Sequence, residues 1–140
     1  MFFLRALKNL FQKFILLIIP AVRVNSKYNY KILGEEDHHY YVGYYDKDPV
    51  NTKTKKILCH KVSKDYSNLS EPPYAKIGLM TIEDNSFEEL TSTRAVNWQL
   101  ASRAQWLDEN TIIYNDIDKD TQCSIKFDVH LMISPVHKYI

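Results

Sequence analysis

The chain has 140 residues, 45% of them apolar and 13% aromatic, which suffices for one domain with a buried core. Its three glycines stand alone, so the sequence excludes a glycine-rich loop that cradles phosphate, and the aromatic content favours β-strands. The net charge of +1 combines six basic residues and no acid in residues 1–34 with 12 basic and 17 acidic residues in the remainder, which excludes a basic stripe for nucleic acid.

The predicted elements begin with a basic amphipathic helix in residues 1–24. Apolar side chains recur at helical spacing in residues 2–19, basic and amide side chains occupy the other side, and Pro20 ends the pattern. Three interpretations stay open: a helix in a membrane interface, a helix packed on the domain, and a secretory signal. We favour the first, which predicts a cytoplasmic protein peripheral at the inner membrane. The candidate membrane-contact residues are Phe3, Arg5, Leu7, Lys8, Leu10 and Phe14.

Residues 25–39 form a polar lead-in, and residues 40–129 carry the turn clusters and apolar runs of antiparallel strands. Strands are predicted at 40–45, 56–62, 75–82, 87–91, 103–107, 111–115 and 123–129. The last three repeat the first three at an offset of about 48–55 residues, which is typical of β-propeller blades. We therefore predict an all-β fold, a partial β-propeller of about two four-stranded antiparallel blades, with an irregular tail at residues 130–140.

A propeller closes with at least about four blades, which is more than this chain provides. The sequence therefore predicts a fragment of a longer propeller, or a chain that completes its sheets by self-association. Open sheet edges would be the surface for that association, because their unpaired backbone groups accept further strands.

Residues 93–99 join the two predicted blades and combine amides, an arginine and an indole. A Trp face can cover the apolar face of a pyranose while amides bind its hydroxyls, so this composition suits saccharide recognition. The alternative, which the residues alone favour, is a structural role. In it the Trp side chain packs in the core, and Arg94 holds the turn between the blades in place. The candidate carbohydrate-binding residues are Arg94, Asn97, Trp98, Gln99, Gln105 and Asn115.

The spacing of the other polar residues and cysteines favours structural roles for them. The pair His38-His39 lacks a third ligand at metal-binding spacing, and His60 alternates with apolar residues, which indicates a core or edge histidine rather than a base. Cys59 and Cys123 have no zinc spacing and are predicted to be structural thiols, with a single disulfide left open. The acidic run in residues 116–120 is interpreted as a solvated turn, not a calcium loop. The sequence predicts no catalytic residue, metal or cofactor.

A set of short motifs stands in order within residues 40–118. They are Gly43-Tyr44-Tyr45-Asp46-Lys47 with Pro49, Ile57-Leu58 with His60-Lys61-Val62, Ile77-Gly78-Leu79, Thr93-Arg94-Ala95 with Asn97-Trp98-Gln99, Gln105-Trp106-Leu107, and Ile113-Tyr114-Asn115-Asp116. In this set the chain resembles a family of uncharacterised bacterial β-propeller proteins associated with polysaccharide and glycosyltransferase gene sets. That family is distantly similar to propellers of the oligogalacturonate-lyase type.

The resemblance implies a noncatalytic, carbohydrate-associated protein linked to bacterial surface-polysaccharide biosynthesis. The chain departs from the family at Val50 and Val96, where Trp is usual, and at Leu100-Ala101, where a Gln-Gly pair is usual. Lyase-type relatives carry their metal-binding histidines in later blades. The alternatives are therefore a truncated remnant of a lyase-like, polysaccharide-processing enzyme and a protein-interaction scaffold. The predicted partners are a saccharide, a membrane surface and further copies of the chain.

Overall fold

The computed structural model describes residues 30–43 and 46–131. The predicted amphipathic helix, with its membrane-contact residues, and most of the predicted tail lie outside these described residues. All the strands below belong to the unit formed by residues 32–140. Among the described residues, no helix is long and apolar enough to cross a membrane.

The first sheet is a four-stranded antiparallel meander in the order β1-β2-β3-β4. Its strands are β1 (His38–Tyr41), β2 (Ile57–Ser63), β3 (Ala75–Met80) and β4 (Phe87–Thr93). The central strands β2 and β3 are rich in β-branched and apolar residues and are buried on both faces along most of their length. A short 3-10 helix (Lys64–Tyr66) follows β2.

A β-bulge shapes the pairing of β3 with β4. The register shifts between Ile77 and Gly78, so that β4 carries one extra residue at this point. Gly78 is required there because a Cβ atom on it would clash with the Glu88 carbonyl oxygen and the Phe87 ring. The absence of a side chain thus allows β4 to approach β3 closely.

The second sheet has the order β5-β6-β7 and is also antiparallel. Its strands are β5 (Gln105–Trp106), β6 (Thr111–Asp118) and β7 (Thr121–Asp128). Only Lys119 and Asp120 connect β6 to β7, and both have positive φ, 45° and 66°, as in the tight turns that match strand twist. The acidic run 116–120 therefore belongs largely to strands, since β6 extends three residues beyond its predicted end.

The two sheets face each other across the main core. Leu58, Ile77 and Leu79 from the first sheet pack with residues of β6 and β7 from the second. Those residues are Ile112, Tyr114, Cys123, Ile125 and Phe127. Each fully buried aliphatic or aromatic side chain contributes roughly 1.5–3 kcal/mol, so this layer stabilises the association of the sheets.

The connection between the sheets, residues 94–104, closes a second apolar cluster. Val96 and Ala101 from this connection are buried with Val62 and Ala75 of the first sheet, and Trp98 packs against them. The side chains that follow Thr93 are thereby fixed beside the end of β6. The candidate site lies where this connection meets the end of β6.

The predicted all-β architecture with two antiparallel sheets is confirmed. The first sheet has the four strands expected for a blade, and β1 begins at His38, inside the predicted lead-in. The predicted strand 103–107 shrinks to two residues because Arg103 has a φ of 57° and Leu107 N donates to Thr111 O. The propeller arrangement, and a fourth strand for the second sheet, stay predictions.

Candidate functional site

A hydrogen-bond network joins the start of the connection to the end of β6. Thr93 Oγ1 donates to Asn115 O at 2.7 Å, and Arg94 N donates to Asp116 Oδ1 at 2.9 Å. The guanidinium Nη2 of Arg94 donates to Ile117 O at 2.7 Å. Arg94 therefore links the two sheets, as the structural interpretation of this residue predicts, while the rest of its guanidinium keeps donors for other partners.

Asn97 organises the turn that follows. Its Oδ1 accepts from the backbone N–H groups of Gln99, at 3.0 Å, and Leu100, at 2.7 Å. Ala101 and Arg103 then adopt positive φ values of 52° and 57°. Residues other than glycine rarely adopt this left-handed backbone conformation, so the surrounding contacts must hold the turn in place.

These residues surround an open cleft of about 210 Å³, which we call the Arg94 cleft. It collects three of the candidate residues, Arg94, Asn97 and Asn115, and adds Arg103 and Gln122. The remaining walls are formed by Glu71, Ala95, Val96, Leu100, Ala101 and Ile117. Two guanidiniums face one carboxylate across this lining, which gives the cleft a net positive charge.

The other candidate residues lie elsewhere. Trp98 is not part of the lining of the Arg94 cleft: its Nε1 donates to Leu69 O at 3.1 Å, and its ring makes an edge contact with His39 at a centroid distance of 5.8 Å. The geometry therefore gives the indole a packing role. Gln99 is exposed outside the cleft. Gln105 borders a smaller depression that adjoins the Arg94 cleft through shared walls at Arg103 and Asn115.

A second cleft, of about 360 Å³, lies between the turn after Asp46 and the β5–β6 turn, and we call it the Trp106 cleft. Its lining residues are Lys47, Asp48, Val50, Asn51, Thr52, Gln105, Trp106, Leu107, Asp108 and Glu109. Sequence reasoning noted the motif around Trp106 but missed this cleft. Its walls come from segments more than fifty residues apart, and no local pattern signals their contact.

His60 and Ser102 form a buried pair that resembles a nucleophile and its base. His60 Nε2 lies 2.7 Å from Ser102 Oγ, and both residues are 0% exposed. Burial lowers the pKa of His60 to about 4, so the ring is neutral at physiological pH. A substrate cannot reach a fully buried hydroxyl, and no partner among the described residues orients His60 Nδ1. The prediction of a core histidine is confirmed, whereas the role of Ser102 was missed.

Glu35, Asp37 and His38 form a cluster of described side chains that could hold a metal ion, and its members pair with one another and with Lys61. His38 Nδ1 lies 2.7 Å from Asp37 Oδ1 and 3.3 Å from Glu35 Oε2, and Lys61 pairs with Glu35 at 2.6 Å. Hydrogen bonding to His38 holds the pKa of Asp37 below its usual value. The carboxylates of these pairs are exposed, whereas His38 and Lys61 are half-buried, and ion pairs at such a surface contribute little to stability.

Cys59 and Cys123 are both buried free thiols, as predicted for structural cysteines. Burial raises the pKa of Cys59 to about 12, which leaves the thiol protonated and unreactive at physiological pH. The thiol of Cys59 is therefore not a nucleophile, and that of Cys123 is buried in the main core. Among the described residues, open clefts offer a ligand more access than the thiols or the buried His60–Ser102 pair, and a further cleft of about 420 Å³ is lined by mainly apolar residues.

No family model matches the chain, and comparison with curated proteins and with solved structures gives no match either. The resemblance to polysaccharide-associated propellers thus stays a prediction from the motifs.

Proposed function

We propose that the chain is a noncatalytic saccharide-binding β-sheet protein linked to bacterial surface-polysaccharide biosynthesis, and that the Arg94 cleft is its binding site. The observation that carries the proposal is the convergence of Arg94, Asn97 and Asn115 on one open cleft with Arg103. Arg94, Asn97 and Arg103 come from the connection between the sheets, whereas Asn115 comes from β6. The genetic context comes from the family resemblance.

The lining of the Arg94 cleft matches an acidic saccharide. Amide groups donate to and accept from hydroxyls, and a guanidinium binds a carboxylate through two parallel hydrogen bonds. Arg103 is exposed and Arg94 has further N–H donors, so both can reach a bound uronate. The single carboxylate in the lining, Glu71, leaves the cleft with net positive charge. This charge favours acidic over neutral sugars.

A binding role fits the cleft better than glycoside hydrolysis. Hydrolysis of a glycoside generally needs two carboxyl groups that flank the scissile bond. Among the described residues, Glu71 is the one carboxylate that lines the Arg94 cleft.

A protein-interaction scaffold is the second candidate. The observation in its favour is that Arg94, Asn97 and Trp98 all hydrogen-bond the chain's own backbone, so each has a sufficient structural role. In that case the polar cleft would be a by-product of the connection between the sheets.

Titration of a hexasaccharide of galacturonic acid into the protein, followed by calorimetry, separates the candidates. Arg103→Ala should weaken binding about tenfold or more, because it removes a charged donor without touching the core. Lys126→Ala is the matched control, since Lys126 is an exposed cation of β7 that lies outside the cleft, and it should leave binding unchanged. No heat in the parent protein, or equal loss in both variants, would leave the scaffold as the better description.

A further inference from the structure

The walls of the Trp106 cleft are fixed by a buried amide. Asn51 is 3% exposed, and its Nδ2 donates to Glu109 O at 2.8 Å. Its Oδ1 accepts from Lys53 N and Thr54 N, each at 3.0 Å. One side chain thereby joins the 51–54 turn to the β5–β6 turn on the opposite side. Breaking these hydrogen bonds would leave a buried amide unpaired, which is costly. The two turns therefore stay together, and the cleft is a preformed feature of the fold.

A second tie holds the aromatic part of the cleft. Trp106 Nε1 donates to Pro49 O at 3.0 Å, and the same carbonyl accepts from Leu58 N in β2. The ring is half-buried, packs against the main core and also lines the cleft. Its only polar atom is thus already paired, so the indole offers the cleft an apolar surface in a fixed orientation.

The polar part of the lining is acidic. Asp48, Asp108 and Glu109 share the lining with one cation, Lys47, and all four are exposed. A second exposed cation, Lys53, lies outside the lining and pairs with Glu109 at 3.6 Å, which still leaves the carboxylates in excess. The Trp106 cleft therefore has net negative charge, opposite to that of the Arg94 cleft. A phosphate or a uronate would be repelled, whereas carboxylates are good acceptors for neutral hydroxyls.

We propose that the Trp106 cleft is a second saccharide site, specific for a neutral pyranose unit. The apolar face of the sugar lies against Trp106 and Leu107, which is 52% exposed, and the sugar hydroxyls donate to the carboxylates of Asp108 and Glu109. The volume of about 360 Å³ lies within the range of small-ligand sites. The inference rests on the proposed function, since both sites together would bind a polymer that alternates neutral and acidic units.

Fluorescence titration of the full chain tests the proposal. The chain has two tryptophans, and Trp98→Phe leaves Trp106 as the reporter. Neutral hexasaccharides of glucose, galactose and mannose are the probes, with the galacturonate hexasaccharide as the acidic comparison. At least one neutral probe should shift the emission of Trp106, and the acidic probe should not. If Trp98→Phe fails to fold, the indole N–H resonance of Trp106 in the parent protein gives the same readout.

Two substitutions on the cleft surface make the test specific. Leu107→Ala removes the exposed apolar contact and Glu109→Gln removes one charge, and each should weaken neutral-sugar binding about tenfold. Arg103→Ala, in the other cleft, should not change it. The proposal is overturned if no neutral probe gives a signal in the folded protein, or if both variants bind as the parent does. Absence of galacturonate binding in the parent protein, with neutral-sugar binding present, would instead remove the proposed function of the Arg94 cleft.

Discussion

His60 illustrates how a single buried polar side chain connects the first sheet to the segment that follows it. Its Nε2 pairs with Ser102 Oγ, and its ring stacks on Tyr41 at a centroid distance of 5.6 Å and an interplanar angle of 20°. Ser102 N also points at the same nitrogen, at 3.4 Å. The neutral ring is therefore the form that fits this environment, and a proton on it would place an uncompensated charge in the core.

The stability of the protein should consequently fall in mild acid. The pKa of His60 is about 4 in the folded chain and 6.5 in its ordinary state, so the unfolded chain binds the proton first as pH falls. The contribution is complete above pH 6.5 and is lost progressively down to pH 4, by about 3 kcal/mol in total. Urea unfolding at pH 7 and pH 4.5 measures it.

His60→Gln is the control for this prediction, because an amide can keep a hydrogen bond to Ser102 without titrating. The variant should lose markedly less stability than the parent between the two pH values. Parallel pH dependence in the two proteins would show that ordinary carboxylates, and not His60, cause the acid sensitivity.

Ala101 adopts a backbone conformation that favours glycine. The chain has Ala where a Gly is usual in the resembled family, and the structure gives this residue a φ of 52°. A glycine takes this conformation without strain, so the departure has a physical cost of about 1 kcal/mol. The sequence showed the substitution, but the backbone conformation that makes it costly was visible only in the fold.

At the level of elements, the strands were the predictable part. β2 and β3 are compact apolar runs bounded by turn residues, and both were located to within a few residues. The clefts were not predictable, because their walls depend on pairs such as Asn51 with Glu109 and Trp106 with Pro49. A local pattern of apolar and polar residues predicts where a strand lies. It does not predict which distant backbone carbonyl a side chain in that strand will hydrogen-bond.

The β6–β7 hairpin offers a stabilising change. Lys119 and Asp120 both have positive φ, which Asn and Gly adopt more easily than they do. The double variant Lys119→Asn with Asp120→Gly should raise the free energy of unfolding by about 1 kcal/mol. Lys119→Ala keeps a Cβ atom without the favourable amide and should not stabilise. Thermal melts followed by circular dichroism measure all three, and a lower melting temperature in the double variant would contradict the turn assignment.

The N-terminal segment carries a prediction from the sequence alone. The basic amphipathic pattern should bind anionic vesicles through Arg5, Lys8 and Lys13 at the headgroups and through Phe3 and Leu7 in the interface. Deleting residues 2–19 should abolish flotation with vesicles that contain phosphatidylserine. A deletion variant that floats like the full chain would disprove a role for this segment at membranes.

At the scale of the whole molecule, the outer edge of β7 is one of the open sheet edges of the described strands. Val129 N donates to Asn110 O, so odd-numbered residues of this strand direct their backbone groups to β6. The backbone groups of Gln122, Ser124 and Lys126 therefore point to the free edge. Within the described part of the chain no strand pairs with this edge. Unpaired edges of this length accept further strands, and a second copy of the chain is the expected occupant.

Self-association through this edge should be sensitive to one substitution. Ser124→Pro removes an outward N–H and the bond from Ser124 Oγ to Asn115 Oδ1, but no backbone hydrogen bond between β6 and β7. It should therefore reduce the apparent mass in sedimentation velocity at high concentration. Ile125→Pro is the contrast, because it removes an inward hydrogen bond and should unfold the sheet. A parent protein that sediments as a monomer at every concentration would rule out association by this edge.

The long-range ties of the Trp106 cleft also have a kinetic consequence. Its two cross-links join residues 57 and 58 positions apart, and the His60–Ser102 pair spans 42 positions. Such contacts form only after large loops have closed, which predicts slow, topology-limited folding in which the cleft walls assemble late. A sugar held between those walls stabilises contacts that the folding transition state lacks. A neutral saccharide should therefore slow unfolding in a chevron experiment while the folding rate stays unchanged, so that ligand occupancy prolongs the lifetime of the folded chain.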